Sequence, residues 1–390
     1  MNLKNNNHHE TPEISILLPC LNEEAALPAC LNEIQSAVKK YELSAEVIII
    51  DNGSSDRSRE IIQQKMADFP ELKVIEEPNR GYGFAYLCGL ENARGSYIFM
   101  ADADNSYDFL EIEKFIFELK KGADLVIGNR FSGGMDNEAM PHLHKYLGNP
   151  FLSFLVRIIF KVSIKDIHCG ARALKKSTYH QLGLRAGGME FASEMIIKAS
   201  KKELVIKEVP VKYRRRLGSS KLRTITDGWR HLRFILIYSP LFLFLIPGLI
   251  LFSTGLLLSL WFYFFNPEIF GIQLYFHPLF LLSLMIILGY QLIIFALFSK
   301  IYAINHLGDS EVRLEKMFTY LTIEKAGFLG ILIFFSGIII YFSIFSYWIK
   351  SGFGSLNETK SSIAALTLSV LGAQTFFSAF MLSILGIKEK

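Results

Sequence analysis

Four long apolar runs fill the carboxyl-terminal part of this 390-residue chain, and they constrain its fold more than any other feature. They are Phe234–Phe265, Leu274–Ser299, Ala326–Ile349 and Ile363–Ile387, each nearly free of charge. A helix of about 20 apolar residues rises about 30 Å, the thickness of a bilayer's hydrocarbon core. Buried helices of a soluble core are the alternative, and four such runs in close succession speak against it. The first run is long, and Pro240 and Pro247 mark a tilted or interfacial start. The chain is 51% hydrophobic with 33 Phe, and the excess is concentrated here.

Charges between the runs set an expected orientation. Lys212, Arg214, Arg215, Arg216, Lys221, Arg223, Arg230 and Arg233 precede the first run. Lys300, Arg313, Lys316 and Lys325 lie between the second and third, and Lys388 and Lys390 follow the fourth. The other two loops carry only Lys350 and Lys360. The positive-inside rule then puts both termini and the amino-terminal region in the cytoplasm, the inner membrane of a bacterium being the expected setting. The first ten residues lack an apolar h-region, so no signal peptide is expected.

The cysteines (Cys20, Cys30, Cys88 and Cys169) form no C-x-x-C pair and read as reduced residues of that region. A net charge of +4 is modest. The basic cluster beside the first run suits phosphate or anionic lipid better than nucleic acid.

Residues 13–130 alternate between β-rich and helical patterns. Glu13–Pro19, Ala45–Ile50, Leu72–Glu76, Ser96–Ala101 and Ala123–Gly128 read as strands. Leu27, Cys30, Leu31, Ile34, Ala37 and Val38 fall at helical spacing, and Ser54-Ser55-Asp56 reads as the N-cap of a helix reaching about Met66. Such alternation implies a parallel sheet covered by helices, with ligands beyond the strands' carboxyl ends. Those ends carry Pro19-Cys-Leu-Asn-Glu23, Asp51-Asn-Gly-Ser-Ser-Asp56, Asn79-Arg-Gly-Tyr-Gly83, Asp102-Ala103-Asp104 and Gly128-Asn-Arg130. No G-x-G-x-x-G follows the first strand, which argues against a dinucleotide-binding dehydrogenase, and Gly81-Tyr82-Gly83 reads as a turn. Asp102 and Asp104, one residue apart at a strand end, can aim at one hard cation, Mg²⁺ or Mn²⁺, bridging a diphosphate.

The ordered set over residues 13–235 resembles glycosyltransferase family 2, and within it the membrane-bound polyprenyl-phosphate sugar synthases of the dolichol-phosphate mannose synthase type. The resemblance implies an α/β GT-A fold, a Rossmann-like mixed sheet, followed here by an all-α transmembrane domain of about four helices. It implies transfer of a sugar with inversion from a UDP- or GDP-sugar to a polyprenyl phosphate, with Mg²⁺ or Mn²⁺. Pro19, Leu21 and Glu23 match the base- and ribose-binding motif, Asp51 and Asn52 the second strand end, where relatives often have two acids. Asp102, Ala103 and Asp104 match the metal and diphosphate motif; Ser106 stands where mannose synthases often have Gln. Arg130 matches a phosphate-facing basic residue. Asp166-Ile-His-Cys-Gly-Ala-Arg172 matches D-x-x-S/C-G-x-R, and Glu194 an acidic residue on the next helix. Arg215-Arg-Leu-Gly-Ser-Ser220-Lys221 matches R-x-x-G-x-S-K, which closes over the donor.

By this resemblance the candidate catalytic residues are Asp104, Arg130, Asp166 and Glu194, and Arg215 and Lys221 join the donor site. Lys145, Arg172 and Ser220 are the candidate acceptor contacts. Glu194 also has a plainer reading, pairing with Lys198 at i+4, and Arg172 could pair with Asp166. The segments His144–Lys161 and Leu222–Phe234 carry apolar faces that could lie in the membrane interface. The expected organisation is a disordered start over 1–12, a GT-A domain over 13–211, a basic juxtamembrane loop and helix over 212–235, and membrane helices over 236–390. Gly228-Trp229-Arg230-His231 is not Q-x-x-R-W, which argues against a processive polysaccharide synthase. A transferase acting on a lipid or lipid-linked sugar hydroxyl and a non-catalytic membrane scaffold are the competing readings, and a homo-oligomer is compatible with each.

Overall fold

A computed structural model describes residues 11–218, 224–306 and 323–386. The chain divides into two units, 1–238 and 239–390.

The first unit is built on a seven-stranded sheet ordered β3-β2-β1-β4-β6-β5-β7. The strands are β1 (Ile14–Cys20), β2 (Ala45–Asp51), β3 (Leu72–Glu76), β4 (Tyr97–Met100), β5 (Leu125–Asn129), β6 (Arg172–Lys175) and β7 (Ile206–Pro210). The helices are α1 (Leu27–Lys40), α2 (Ser58–Lys65), α3 (Tyr82–Asn92), α4 (Ile112–Lys120), the single turn α5 (Arg130–Gly133), α6 (Asn149–Phe160), α7 (Lys176–Leu182), α8 (Phe191–Lys201) and α9 (Thr224–Ile237). The cores of β1 and β2 are buried almost without interruption, the pattern of strands covered on both faces. The six apolar positions read at helical spacing are the buried face of α1.

All the strands are parallel to their neighbours except β6, which runs antiparallel to both β4 and β5. Strand–helix alternation alone predicted a parallel sheet; the mixed sheet is the one implied by the family resemblance. The reversal has a local consequence. Pairing of Met100 with Arg172 sets the segment entering β6 beside the residues leaving β4. Asp166–Ala171 and Ala101–Asp104 thereby meet at one end of the sheet.

α2 begins at Ser58, just past the expected cap at Ser54–Asp56: Arg57 occupies the N-cap position without a side-chain bond, and the carboxylate of Asp56 takes the first helical amide. The same segment also holds the neighbouring loop. Ser54 Oγ accepts from the Asn22 amide at 3.0 Å, and Asp56 accepts from the Glu24 and Ser58 amides, each at 3.0 Å. The loops after β1 and β2 are thus tied to each other before the helix starts.

The second unit has α10 (Ile246–Phe265), α11 (His277–His306), α12 (Ile323–Lys350) and α13 (Thr359–Gly386), with a two-stranded turn of β8 (Glu268–Ile269) and β9 (Ile272–Gln273) between the first two. Four helical stretches, Leu241–Phe265, His277–Tyr302, Glu324–Lys350 and Thr359–Leu385, are long and apolar enough to cross a membrane. Within this unit α10 packs on α11, α11 on α13 and α13 on α12. Ser283 meets Thr367 at 2.6 Å and Gln374 donates to Gln291 at 2.8 Å, side-chain bonds of the kind that join helices where water is absent.

Candidate active site

The acidic pair lies just past β4. Asp104 is 5% exposed; its Oδ1 accepts from the Ser106 amide at 3.0 Å and from the Ser106 hydroxyl. Its Oδ2 faces Arg216 Nη2 at 3.0 Å. Burial pushes the Asp102 carboxyl up to about 7, and the charge of Asp104 adds to the effect. Arg216, a hydrogen bond from the Tyr82 hydroxyl, and Arg130 pull the other way. A Cβ at Gly170 would stand 2.4 Å from Asp102 Oδ2, so any larger residue here would have to push that carboxylate aside. The Gly170 amide donates to the Tyr107 hydroxyl at 2.7 Å, which fixes that passage.

Two carboxylates that repel each other in a desolvated pocket suit a divalent cation. Among the described residues no cluster of three His, Cys, Asp or Glu side chains is placed to cage one. Mg²⁺-type ions do not require such a cage, since one or two carboxylates can leave most positions to substrate phosphate and water. Asp102 and Asp104 therefore fit the group.

The segment Tyr213–Leu217 lies over the pair as a short strap. Arg214 N donates to Ser106 O at 2.9 Å, Leu217 N donates to Asp104 O at 3.0 Å, and Tyr213 bridges Tyr107. In such an extended segment side chains alternate. Arg214 turns in to Glu33 and Asp108, at 2.8 and 2.7 Å, and Arg216 turns in to Asp104. Arg215, the expected donor residue, turns out: its side chain is 72% exposed and 3.4 Å from Glu138. Arg216 takes the inward place, and alternation through Arg214-Arg215-Arg216 was the signal that could have found it. Ser220 and Lys221 lie outside the described residues.

At the first two strand ends, Asp51 accepts from Ser54 N at 3.0 Å and pairs with Arg59. Asn52, 4% exposed, uses its whole amide: Nδ2 donates to Glu77 O at 3.0 Å and Asn79 O at 2.8 Å, while Oδ1 accepts from Gly81 N at 2.8 Å. An amide here holds the loop from β3 to α3. Pro19 and Leu21 are half-buried at the end of β1, and Glu23 is buried 3.9 Å from Arg216. Gly81-Tyr82-Gly83, read as a turn, opens α3 instead; a Cβ on Gly83 would meet Ala186 O at 2.0 Å.

Arg130 and Asp166 form a buried two-pronged pair. Arg130 Nε and Nη2 each donate to Asp166 at 2.7 Å, and the Arg130 amide adds a third bond at 3.1 Å. The Arg130 guanidinium also lies 5.1 Å from the centre of the Tyr213 ring. Arg172 does not pair with Asp166. It donates to three backbone oxygens, Ile167 O at 2.6 Å, Cys169 O at 2.8 Å and Ala192 O at 2.7 Å. It therefore splints the entry to β6 onto α8. Glu194, 1% exposed, accepts from the Arg185 and Ala186 amides and pairs with Lys198 at 2.8 Å. Lys145 is half-buried on the turn before α6, its ammonium 5.4 Å from the Tyr146 ring centre.

On α6, Leu152 and Val156 face the core. Tyr146, Leu147, Phe151, Phe154 and Ile158 form a stripe that is roughly half or more exposed. On α9, Ile235 is buried and Leu232 and Phe234 pack on the core, whereas Trp229 is 59% exposed.

The profile of glycosyl transferase family 2 matches residues 15–183, and that of the glycosyltransferase family 2 C-terminal transmembrane region matches residues 297–386. The chain belongs to glycosyl transferase family 2 and is an integral membrane glycosyltransferase with a GT-A-type first domain. It is 34% identical over 377 residues to the low-salt glycan biosynthesis hexosyltransferase Agl6 of Haloferax volcanii, covering 96% of this chain and 89% of that one. It is 28% identical to a dolichyl-phosphate hexose transferase of the same organism, over 55% of this chain and 89% of the relative. It is also 28% identical to the dolichol-phosphate mannosyltransferase of Pyrococcus furiosus, over 56% and 62%. Among solved structures, glucosyl-3-phosphoglycerate synthase of Mycobacterium tuberculosis is similar over 58% of this chain and 80% of that one, at a TM-score of 0.46 and 18% identity.

Proposed function

We propose that this chain moves a hexose from a nucleotide-diphosphosugar to a membrane polyprenyl phosphate, with inversion at the anomeric carbon. The observation that carries the reading is the acidic pair: a carboxyl raised to about 7 beside a second carboxylate, under a strap that brings in a guanidinium. Asp102 and Asp104 would hold Mg²⁺ or Mn²⁺. When bound, the cation offsets negative charge building on the departing nucleoside diphosphate. Pro19, Leu21, Glu23 and Asp51 line the donor end, and Asn52 shapes it by holding the loop after β3.

A phosphate monoester oxygen is already anionic near neutral pH and needs no base to attack the anomeric carbon; a hydroxyl does. Asp166 and Glu194, the carboxylates that could have served as base, are buried and engaged in holding Arg130 and the 185–186 loop. That engagement supports the anionic acceptor and makes both of them positioning residues. Arg130 Nη1 is the guanidinium nitrogen that Asp166 does not use, and with Lys145 it is the proposed contact for the acceptor phosphate. The exposed α6 stripe suits the lipid chain, and two relatives are named for dolichyl- or dolichol-phosphate transfer. The charge pattern of the loops supports a cytoplasmic side for this chemistry.

One observation favours a hydroxyl acceptor instead. Among the described residues His168 has no hydrogen-bond partner at either ring nitrogen and could accept a bond from a hydroxyl, but burial and the neighbouring His231, Arg130 and Arg172 hold its pKa well below the usual value, so it would be a weak base. One assay separates the two. Purified protein is given undecaprenyl phosphate, Mn²⁺ and labelled UDP- and GDP-sugars, with Asp104→Ala as control. An acid-labile, solvent-extractable product made from one donor and absent in the variant is expected. Transfer only to a lipid-linked sugar, giving an acid-stable bond, refutes the phosphate acceptor.

A further inference from the structure

Arg216 stands where the chemistry of the acidic pair calls for a cation. Its Nη2 alone makes both carboxylate contacts, Asp104 at 3.0 Å and Glu23 at 3.9 Å. Its Nε is buried and has no hydrogen-bond partner among the described residues. A buried unpaired donor is costly, about 1–3 kcal/mol, and more for a charged group. The side chain as a whole keeps 25% exposure, although Nε itself is covered.

The chemistry of that missing ligand can be read from the donors. A planar guanidinium presents a fork of N–H groups matched to two oxygens of one phosphate or carboxylate. Nη2 faces Glu23 and Asp104, and Nε is left without a hydrogen-bond partner among the described residues. Asp104, for its part, commits Oδ1 to Ser106 and turns Oδ2 to Arg216, so a cation approaching Oδ2 meets the guanidinium first. The strap is fixed through its backbone, by the Arg214 and Leu217 amides on Ser106 and Asp104. Rotation of the Arg216 side chain would therefore not require the strap to open.

We propose that Arg216 is a ligand of the donor diphosphate and, before the donor arrives, the counter-ion of Asp104, so that divalent cation and nucleotide enter together by displacing it. This rests on the donor being a nucleotide-diphosphosugar bound with a divalent cation. The consequence is coupling. Bare Mn²⁺ competes with Arg216 for Asp104 and binds weakly; a nucleoside diphosphate draws the guanidinium onto its phosphates and frees the carboxylate. The site thus avoids holding a metal without a donor.

The test is Mn²⁺ binding by electron paramagnetic resonance on the full chain in detergent, alone and with UDP or GDP. In the wild type the preferred nucleotide should tighten Mn²⁺ by about tenfold or more, the scale of one or two charge-assisted hydrogen bonds. Arg216→Gln should bind bare Mn²⁺ more tightly than wild type, bind the nucleotide more weakly by about tenfold, and lose most of the coupling. Arg216→Lys keeps the charge without the fork. It should keep bare Mn²⁺ weak and still lose nucleotide affinity. Bare Mn²⁺ binding that is unchanged or weaker in Arg216→Gln, with the wild type showing nucleotide-dependent Mn²⁺ binding, overturns the inference and leaves the proposed function standing. Wild-type protein that binds Mn²⁺ with neither nucleotide overturns both.

Discussion

Breaking the Arg130–Asp166 pair is the sharpest way to separate frame from chemistry in this site. The two side chains are 7% and 0% exposed and share two bonds of 2.7 Å, and the Arg130 amide adds one of 3.1 Å. Asp166→Ala would leave a guanidinium in a buried pocket with its partner gone. Removing one member of a buried pair costs about 3–5 kcal/mol, because the surviving charge has neither water nor counter-ion. For a unit of this size each kcal/mol moves the midpoint about 2–4 °C, so the expected fall is roughly 6–20 °C. Arg130→Met with Asp166→Leu removes both charges together. It should stay within about 2 kcal/mol of wild type, the remaining deficit coming from the Arg130 amide that loses its acceptor. The assay is near-ultraviolet circular dichroism of the detergent-solubilised chain on heating, at one scan rate, paired with sugar transfer. The double variant should recover the midpoint and still fail to transfer if Arg130 Nη1 is the acceptor contact, as proposed. A fall of less than about 2 °C in Asp166→Ala would refute the burial argument. Transfer restored in the double variant would refute the acceptor role.

Asn52→Asp should cost about 1–3 kcal/mol, since a carboxylate would face Glu77 O and Asn79 O with no proton to donate; a raised KM for the donor with little change in kcat checks it. Gly170→Ala pushes a methyl to within 2.4 Å of Asp102 Oδ2, the movable end of a short side chain. Its thermal midpoint should stay near wild type while Mn²⁺·nucleotide affinity falls by about tenfold or more; intact affinity would show that Asp102 is not a ligand. Asp102 binds its proton more tightly folded, with a pKa of about 7, than unfolded, so the metal-free chain should lose stability as pH rises from about 4 toward 7. A divalent cation must displace that proton, and Mn²⁺ affinity should drop about tenfold per pH unit below 7. The same slope in Asp102→Asn would assign it to another group. Phe151→Ser with Phe154→Ser should raise KM for a long polyprenyl phosphate and leave a short, water-soluble one unchanged; equal losses for both would mean that the α6 stripe serves folding.

The parts of this fold that were legible in the sequence are those governed by local pattern. The five amino-terminal strands and the four apolar helices stand out as apolar runs of strand or membrane-crossing length, and the buried face of α1 repeats every 3.6 residues. β6 and β7, four and five residues long, carry no such signal. The antiparallel turn of β6 is a tertiary fact, set by pairing with β4 and β5. The start of α2 was legible within about two residues, because Asp56 takes the Ser58 amide, whereas the second use of Asp56 and Ser54 on the loop after β1 was not.

The site shows the same division more sharply, because its residue types were readable while their division of labour was not. Asp102 and Asp104 could be singled out from two carboxylates at a strand end. Arg215 and Arg216 are identical in chemistry and adjacent in sequence, and only the extended strap decides which faces Asp104. Asp166, Arg172 and Glu194 look like reactive groups in a motif, yet their hydrogen bonds run to a buried arginine, three carbonyls and two amides. A sugar transferase with an anionic acceptor has few protons to move. What it needs is charge held in fixed places around a diphosphate and a monophosphate. On that view the groups that perform no chemistry are the reason the others can: Asp166 fixes Arg130, Ser106 fixes Asp104, and the strap delivers Arg216. A variant that loosens any of these should fail in donor or acceptor geometry while its reactive groups remain in place.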